Sequence, residues 1–319
     1  MFQALTIYIY VVNLFYIKIS INIYKMNEKI NTENTMKIED KHLENVSANS
    51  VLHFFGDWTK KIDSLRDQYV TAKPFEHIII DNFLDAEYAE QIFHLFPNLN
   101  ETWHEYKNPI EVKYTFDDVN VLNSKIKNYF YYLSTPEIIN IMQSITKIDE
   151  LEYDTFLHGA GLHLHPRCGR LNIHLDYEKH PYSGKERRLN IILFMTKNWN
   201  SNWNGANELW NCDVSQCITK TDVKFNRAII FKTNDVTWHG LPDKILCPEN
   251  TFRKSLAYYY VSPLNTKKTE DEYRKKAKFI KRPQDPDNEK INKLYDIRSN
   301  RRINNDDMKS IMPDWTIES

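Results

Sequence analysis

Between residues 151 and 262 the chain breaks into short runs rich in branched and aromatic residues, at 171–177, 189–196, 228–233 and 255–261, separated by clusters of Gly, Pro and Asn. Runs of that length and composition read as β-strands. Many short strands joined by long loops point to a jelly-roll or double-stranded β-helix, a mainly β, cupin-like core.

Upstream, the pattern changes to one that supplies helices. Lys73-Pro74-Phe75 leads into a strand-like run at 77–80, then into Asp81-Asn82-Phe83-Leu84-Asp85. With Asp85 as N-cap, Tyr88, Ile92, Phe93 and Phe96 recur at helical spacing until Pro97 ends the run. A second helix starts at Thr135-Pro136-Glu137, with Pro136 at its first position and Ile138, Ile141, Met142 and Ile145 on one face. The expected architecture is therefore α+β: a β-helix core with supporting N-terminal helices.

A chain of 319 residues, 41% hydrophobic and 27% charged, can bury one good-sized core with smaller appendages. The expected division is an apolar leader (1–25), a polar linker (26–49), an α/β support region (50–150), the catalytic β-helix (151–263) and a charged C-terminal extension (264–319). Residues 1–24 admit three readings: a mis-called start or leader, with Met26 as an alternative start, a membrane anchor, or a signal sequence. The C-terminal extension lacks a strong apolar period and reads as solvated helix and coil, or as a basic docking surface for an acidic partner. Lys and Arg number 42 against 43 Asp and Glu, so the formal charge of −1 gives no global field to recruit nucleic acid, and no nucleic-acid partner is expected. Four cysteines without a CxxC pair suggest free thiols and a cytoplasmic or otherwise intracellular location, membrane-anchored only if residues 1–24 are a real anchor.

Within the strand at 171–177, alternation puts His174 and Asp176 on one face, about 7 Å apart along the backbone. That spacing lets both reach one metal ion. Two histidines and one carboxylate with open positions form the ligand set of non-haem Fe(II) oxygenases, and His239, in Thr237-Trp238-His239-Gly240 after the strand at 228–233, is the best candidate for the second histidine. Further on, alternation points Arg253 and Ser255 to one face of the last strand. A buried guanidinium there offers a bidentate fork to a carboxylate, and Ser255 adds a hydroxyl. A rival pair, His163 and His165, also stands at i, i+2 and could bind Zn(II) with a third ligand, although only Cys168 follows at a usable spacing.

These residues resemble the prolyl 4-hydroxylase-type branch of the Fe(II)/2-oxoglutarate-dependent oxygenases. The likeness covers roughly residues 70–262. It is carried by PFEHIIIDNFLD, by GAGLHLHPRCGRLNIHLDY around the first two ligands, by RRLNIILFMTKNWNSNWNGANELW, and by WHGLPDKILCPENTFRKSLAYYY. The resemblance implies that His174, Asp176 and His239 bind Fe(II), that Arg253 pairs with the distal carboxylate of 2-oxoglutarate, and that O2 is consumed to give succinate and CO2, with ascorbate as a further family expectation. Relatives often place a tyrosine hydroxyl near that carboxylate, where this chain has Phe194; Ser255 or Asn190 would then compensate. Asp176 as a third ligand argues against a halogenase, which needs that position vacant.

Three functions follow from these features. The first is a dioxygenase hydroxylating an unactivated C–H bond of a peptidyl proline or similar protein side chain; the second acts on a small molecule or sugar; the third is a non-catalytic jelly-roll binding module. A charged cluster kept inside a barrel speaks against the third. In the segment 199–210, Trp199, Trp203 and Trp210 either clamp a peptide or sugar or simply pack under the barrel rim. Arg187 and Arg188 read as a solvated pair, or as a means of steering an acidic substrate.

Overall fold

The computed structural model describes residues 51–318; the expected leader (1–25) and linker (26–49) lie outside them. Four helices precede the core: α1 (Ile62–Thr71), α2 (Ala86–Leu95), α3 (Ser124–Leu133) and α4 (Pro136–Thr146). Asp85 caps α2 as its sequence implies, accepting from the amides of Glu87 and Tyr88 at 3.0 and 3.1 Å. In α4 the buried face is Ile138, Met142 and Ile145, each contributing about 2 kcal/mol on full burial. Lys147, in the left-handed region, ends that helix.

Along the chain the strands are β1 (His77–Asp81), β2 (His104–Asn108), β3 (Glu111–Phe116), β4 (Glu152–Tyr153), β5 (Gly161–His165), β6 (Arg170–Leu175) and β7 (Glu186–Phe194). They continue as β8 (Asn207–Trp210), β9 (Cys217–Thr221), β10 (Arg227–Lys232), β11 (His239–Leu241), β12 (Arg253–Ser262) and β13 (Lys278–Phe279). The main path runs β1-β10-β7-β12-β5-β3-β6-β11-β8-β9. One leaf holds β1, β10, β7, β12 and β5; the other holds β6, β11, β8 and β9. From β5 to β12 the chain crosses between leaves at nearly every loop, which is the winding of a double-stranded β-helix. β3 bonds to both β5 and β6 and closes the seam between the leaves.

Alternation along β12 sorts its two faces. Tyr258 and Tyr260 turn outward to the helices, where the Tyr258 hydroxyl lies 2.9 Å from the Ser134 hydroxyl and the Tyr260 hydroxyl donates to the Leu133 carbonyl at 2.7 Å. Arg253, Ser255, Ala257 and Tyr259 turn inward and line a cavity between the leaves.

The C-terminal extension departs from its reading as solvated helix and coil. β13 adds to the edge of β6 that β3 leaves open, pairing Lys278 with Leu175 and Phe279 with His174. Beyond it, α5 (Glu289–Asn300) buries Leu294 and Tyr295 against Ile110 and Phe279, and α6 (Asn305–Ile311) follows. Arg298 of α5 donates to the buried Glu111 at 3.0 Å, and Lys113 lies 3.1 Å from the same carboxylate. Burial alone would raise the Glu111 carboxyl, yet these two cations bring it down to about 2. The packed residues, Ile291, Leu294 and Tyr295 of α5 with Phe279, form a short apolar cluster set in a strongly charged stretch. Among the described residues no helix is long and apolar enough to cross a membrane.

Candidate metal and 2-oxoglutarate site

β6 and β11 are direct neighbours with His174 opposite His239, so two imidazoles distant in sequence become a cross-strand pair with ring centroids 4.4 Å apart. His239 thus sits within a short strand rather than in the loop expected for it. Gly240 permits that closeness: a Cβ there would fall 2.7 Å from the Leu171 carbonyl oxygen. Asp176 lies just past the end of β6, its two carboxylate oxygens 3.6 Å from His174 Nε2 and from His239 Nε2 respectively. The three ligand atoms lie within 4.8 Å of one another.

Both rings are oriented from behind. His174 Nδ1 donates to the Asn172 carbonyl and His239 Nδ1 to the Thr237 carbonyl, each at 2.9 Å, which leaves both Nε2 lone pairs facing Asp176. Burial, reinforced by His174, pulls His239 down to about 4, so it is a neutral imidazole near pH 7. Burial would raise the Asp176 carboxyl, but His239 and His174 outweigh it and hold it well below the usual carboxylate range. Phe279 stacks on the His174 ring at 5.1 Å, and Arg274 Nε donates to the Asp176 carbonyl at 2.7 Å. Two imidazoles and one carboxylate, all on one side of a cavity, fit a divalent iron with open positions.

Arg253 is 1% exposed. Its Nε donates to the Gly205 carbonyl at 2.7 Å, its guanidinium lies 4.7 Å over the Phe194 ring, and its buried Nη2 has no partner. Burial with no anion beside it lowers the guanidinium to about 9, still charged at neutral pH. A carboxylate there would satisfy both the orphan donor and the charge. Gly205, at φ +87°, was not singled out in the sequence; a Cβ on it would press on Trp199 and on Arg253 Cδ at 3.2 and 3.3 Å. Ser255 lines the cavity two residues along from Arg253, opposite Phe194 in register.

Asn190 is elsewhere. Its Nδ2 donates to Asp176 Oδ2 and to the Tyr259 hydroxyl, both at 3.2 Å, and Tyr259 in turn donates to Asp176 Oδ2. Asn190 shares a face of β7 with Phe194, but the contacts it makes are to Tyr259 and to the Asp176 carboxylate rather than beside Arg253. Arg187 is likewise not solvated. It is 1% exposed, sandwiched between Tyr177 and Tyr259 with both centroids 3.5 Å away, and bonded to the His158 carbonyl and the Tyr177 hydroxyl. Arg188, by contrast, reaches Ser262 Oγ at 3.0 Å.

His163 and His165 pair in register with Ser255 and Arg253 and line the cavity. No third ligand joins them among the described residues, so the zinc alternative fails for want of a donor. The tryptophans pack rather than clamp: Trp199 and Trp203 meet each other edge to face and pack on Leu241 and Ile245, and Trp210 packs with Ile173 and Trp238. Asn207, missed in the sequence, lines the cavity with a buried Nδ2 that has no acceptor.

A β-helix carrying a two-histidine, one-carboxylate cluster beside an unpartnered buried arginine defines a class, the metal-centred oxygenases that take an anionic cosubstrate. Residues 160–261 match the family model described as the 2OG-Fe(II) oxygenase superfamily, and this segment is an oxygenase domain of that superfamily. The family implies Fe(II), 2-oxoglutarate and O2. No curated protein matches the chain by sequence. Among solved structures, a Trichoplax adhaerens prolyl hydroxylase in complex with a hypoxia inducible factor peptide fragment is 15% identical, over 64% of this chain and 90% of that one, with a TM-score of 0.47. A Phytophthora capsici prolyl 4-hydroxylase is 18% identical over 64% of each chain (TM-score 0.44), and a Pseudomonas putida prolyl-4-hydroxylase 13% identical over 64% of this chain and 100% of that one (TM-score 0.42). None reaches 0.5, so the family assignment rests on the sequence match.

Proposed function

We propose that this chain is a dioxygenase that hydroxylates an unactivated C–H bond, on a peptidyl proline or a similar protein side chain, with succinate and CO2 as co-products. His174, Asp176 and His239 would hold Fe(II), and Arg253 would pair with the distal carboxylate of 2-oxoglutarate, assisted by Ser255. When bound, Fe(II) with 2-oxoglutarate and O2 supplies the oxidising equivalents for C–H hydroxylation. The chain's part is to present two imidazoles, hold Asp176 in place through the Asn190 and Tyr259 bonds, anchor the cosubstrate, and exclude water. Ascorbate as a reductant and an intracellular setting, the latter supported by four free cysteines, complete the reading.

The observation that carries it is Arg253: a fully buried guanidinium with an orphan donor, in the same cavity as the three-ligand cluster. Anaerobic absorption spectroscopy with Fe(II), before and after adding 2-oxoglutarate, tests it. A new visible charge-transfer band is expected in the native chain and not in Asp176→Ala. Stoichiometric iron without a band on adding 2-oxoglutarate would sink the reading.

A further inference from the structure

The cavity is more positive than the chain that builds it. Among the described residues seven cationic side chains and three carboxylates line it, in a protein whose formal charge is −1. Arg187 and Arg253 are buried in the roles given above, and Lys113 and Arg298 share Glu111. Three cations remain, Lys275, Lys276 and Arg302, all exposed and all from the C-terminal segment. Of the two other carboxylates, Asp176 belongs to the metal cluster and Asp117 lies 3.6 Å from His104. Lys275 reaches Asp271 at 3.6 Å, an exposed contact that contributes little. Neither Lys276 nor Arg302 forms an ion pair among the described residues.

These charges are not spread over a solvated face. Arg302 lies over the Tyr106 ring, 4.8 Å from its centroid, and so is held at the mouth. Lys275 and Lys276 sit between Arg274, which bonds the Asp176 carbonyl, and Phe279, which stacks on His174, so their backbone is pinned to the metal strand. A ferrous ion and a 2-oxoglutarate dianion offset one another, which leaves the excess positive charge facing whatever enters next.

We propose that the C-terminal segment makes the mouth a receptor for carboxylate side chains flanking the reacting residue of an acidic peptide, with Lys276 and Arg302 as its contacts. The proposal rests on the hydroxylase reading above. It gives a function to a basic stretch that the oxygenase match, ending at residue 261, does not include.

The test is fluorescence anisotropy on the full chain loaded anaerobically with Fe(II) and 2-oxoglutarate. Two labelled proline-centred peptides of equal length are compared, one flanked by glutamates and the other by glutamines at the same positions. At low salt the glutamate peptide is expected to bind about fivefold to tenfold more tightly, a preference that salt erodes and that Lys276→Glu with Arg302→Glu removes. Equal binding by the native chain, or a preference that survives the double substitution, would overturn the proposal. So would displacement of the peptide by inorganic phosphate when chloride of equal ionic strength leaves it bound, since the site would then be one for small oxyanions. The iron and 2-oxoglutarate band recorded on the same native sample separates the two readings: a band without glutamate preference removes this receptor alone, and a missing band removes the hydroxylase.

Discussion

Two arginines lie equally deep in the cavity wall, and their surroundings differ in kind. Arg187 is held by two tyrosine faces, the His158 carbonyl and the Tyr177 hydroxyl; burial would lower it, but Tyr177, Tyr259 and Asp176 keep it above its ordinary value. Arg253 has one carbonyl, one phenylalanine ring and an unused donor, and burial lowers it to about 9. The first guanidinium is a strut whose charge is already compensated. The second keeps an unsatisfied donor, and a carboxylate placed beside it would relieve its desolvation cost. Equal burial therefore says little about role; the roster of acceptors around the charge says most.

Acidification should strain the contrast most. Burial first, and nearby cations second, lower His158 to about 4 and His163 to about 3, and hold His165 well below its ordinary value. The folded chain thus binds fewer protons than the unfolded chain from about pH 6.5 down to 4. Their contribution is complete above 6.5 and is lost as pH falls through that window, with a drop of about 3 kcal/mol or more in the unfolding free energy of the metal-free protein. Denaturant titrations at several pH values check this. The drop should shrink when His163 and His165 are both changed to Gln, and an unchanged drop would remove these two from the account.

Arg253→Met should weaken 2-oxoglutarate binding about 100-fold, while leaving the cosubstrate-free protein as stable as before or more so, because an uncompensated buried charge has gone. Calorimetric binding and thermal melts read the two halves separately. A large fall in melting temperature without cosubstrate would make Arg253 a strut after all. Arg187→Met should do the converse: a loss of about 2 kcal/mol in stability, with 2-oxoglutarate affinity changed less than about threefold. A larger loss of affinity would merge the two roles.

Much of this arrangement is readable in the sequence where the determinant is local. His174 with Asp176, and Arg253 with Ser255, share faces because a strand alternates with period two. The supporting helices α2 and α4 are readable from Asp85, Pro136 and their apolar spacing, whereas α1 and α3 passed without a signal of that strength. What stayed illegible depends on pairing. Nothing near Asn190 says that its neighbour across the sheet is Tyr259, or that both turn to Asp176. Arg187 reads as a solvated charge because its two tyrosines come from positions 177 and 259. Phe279 and Tyr295 sit in a strongly charged stretch, and what they cover, β6 and Ile110, comes from far upstream.

That cover has an implication for timing. The ligand strand β6 leaves the ribosome well before Arg274, Phe279, Tyr295 and Arg298, the residues that bond its carbonyl backbone, stack on its histidine, meet Asn172 and tie down Glu111. A nascent chain would thus hold three ligands with one side of their strand bare, and metal captured then would sit in a looser cage than the finished one. Closure of the candidate metal site therefore waits on the C-terminal segment.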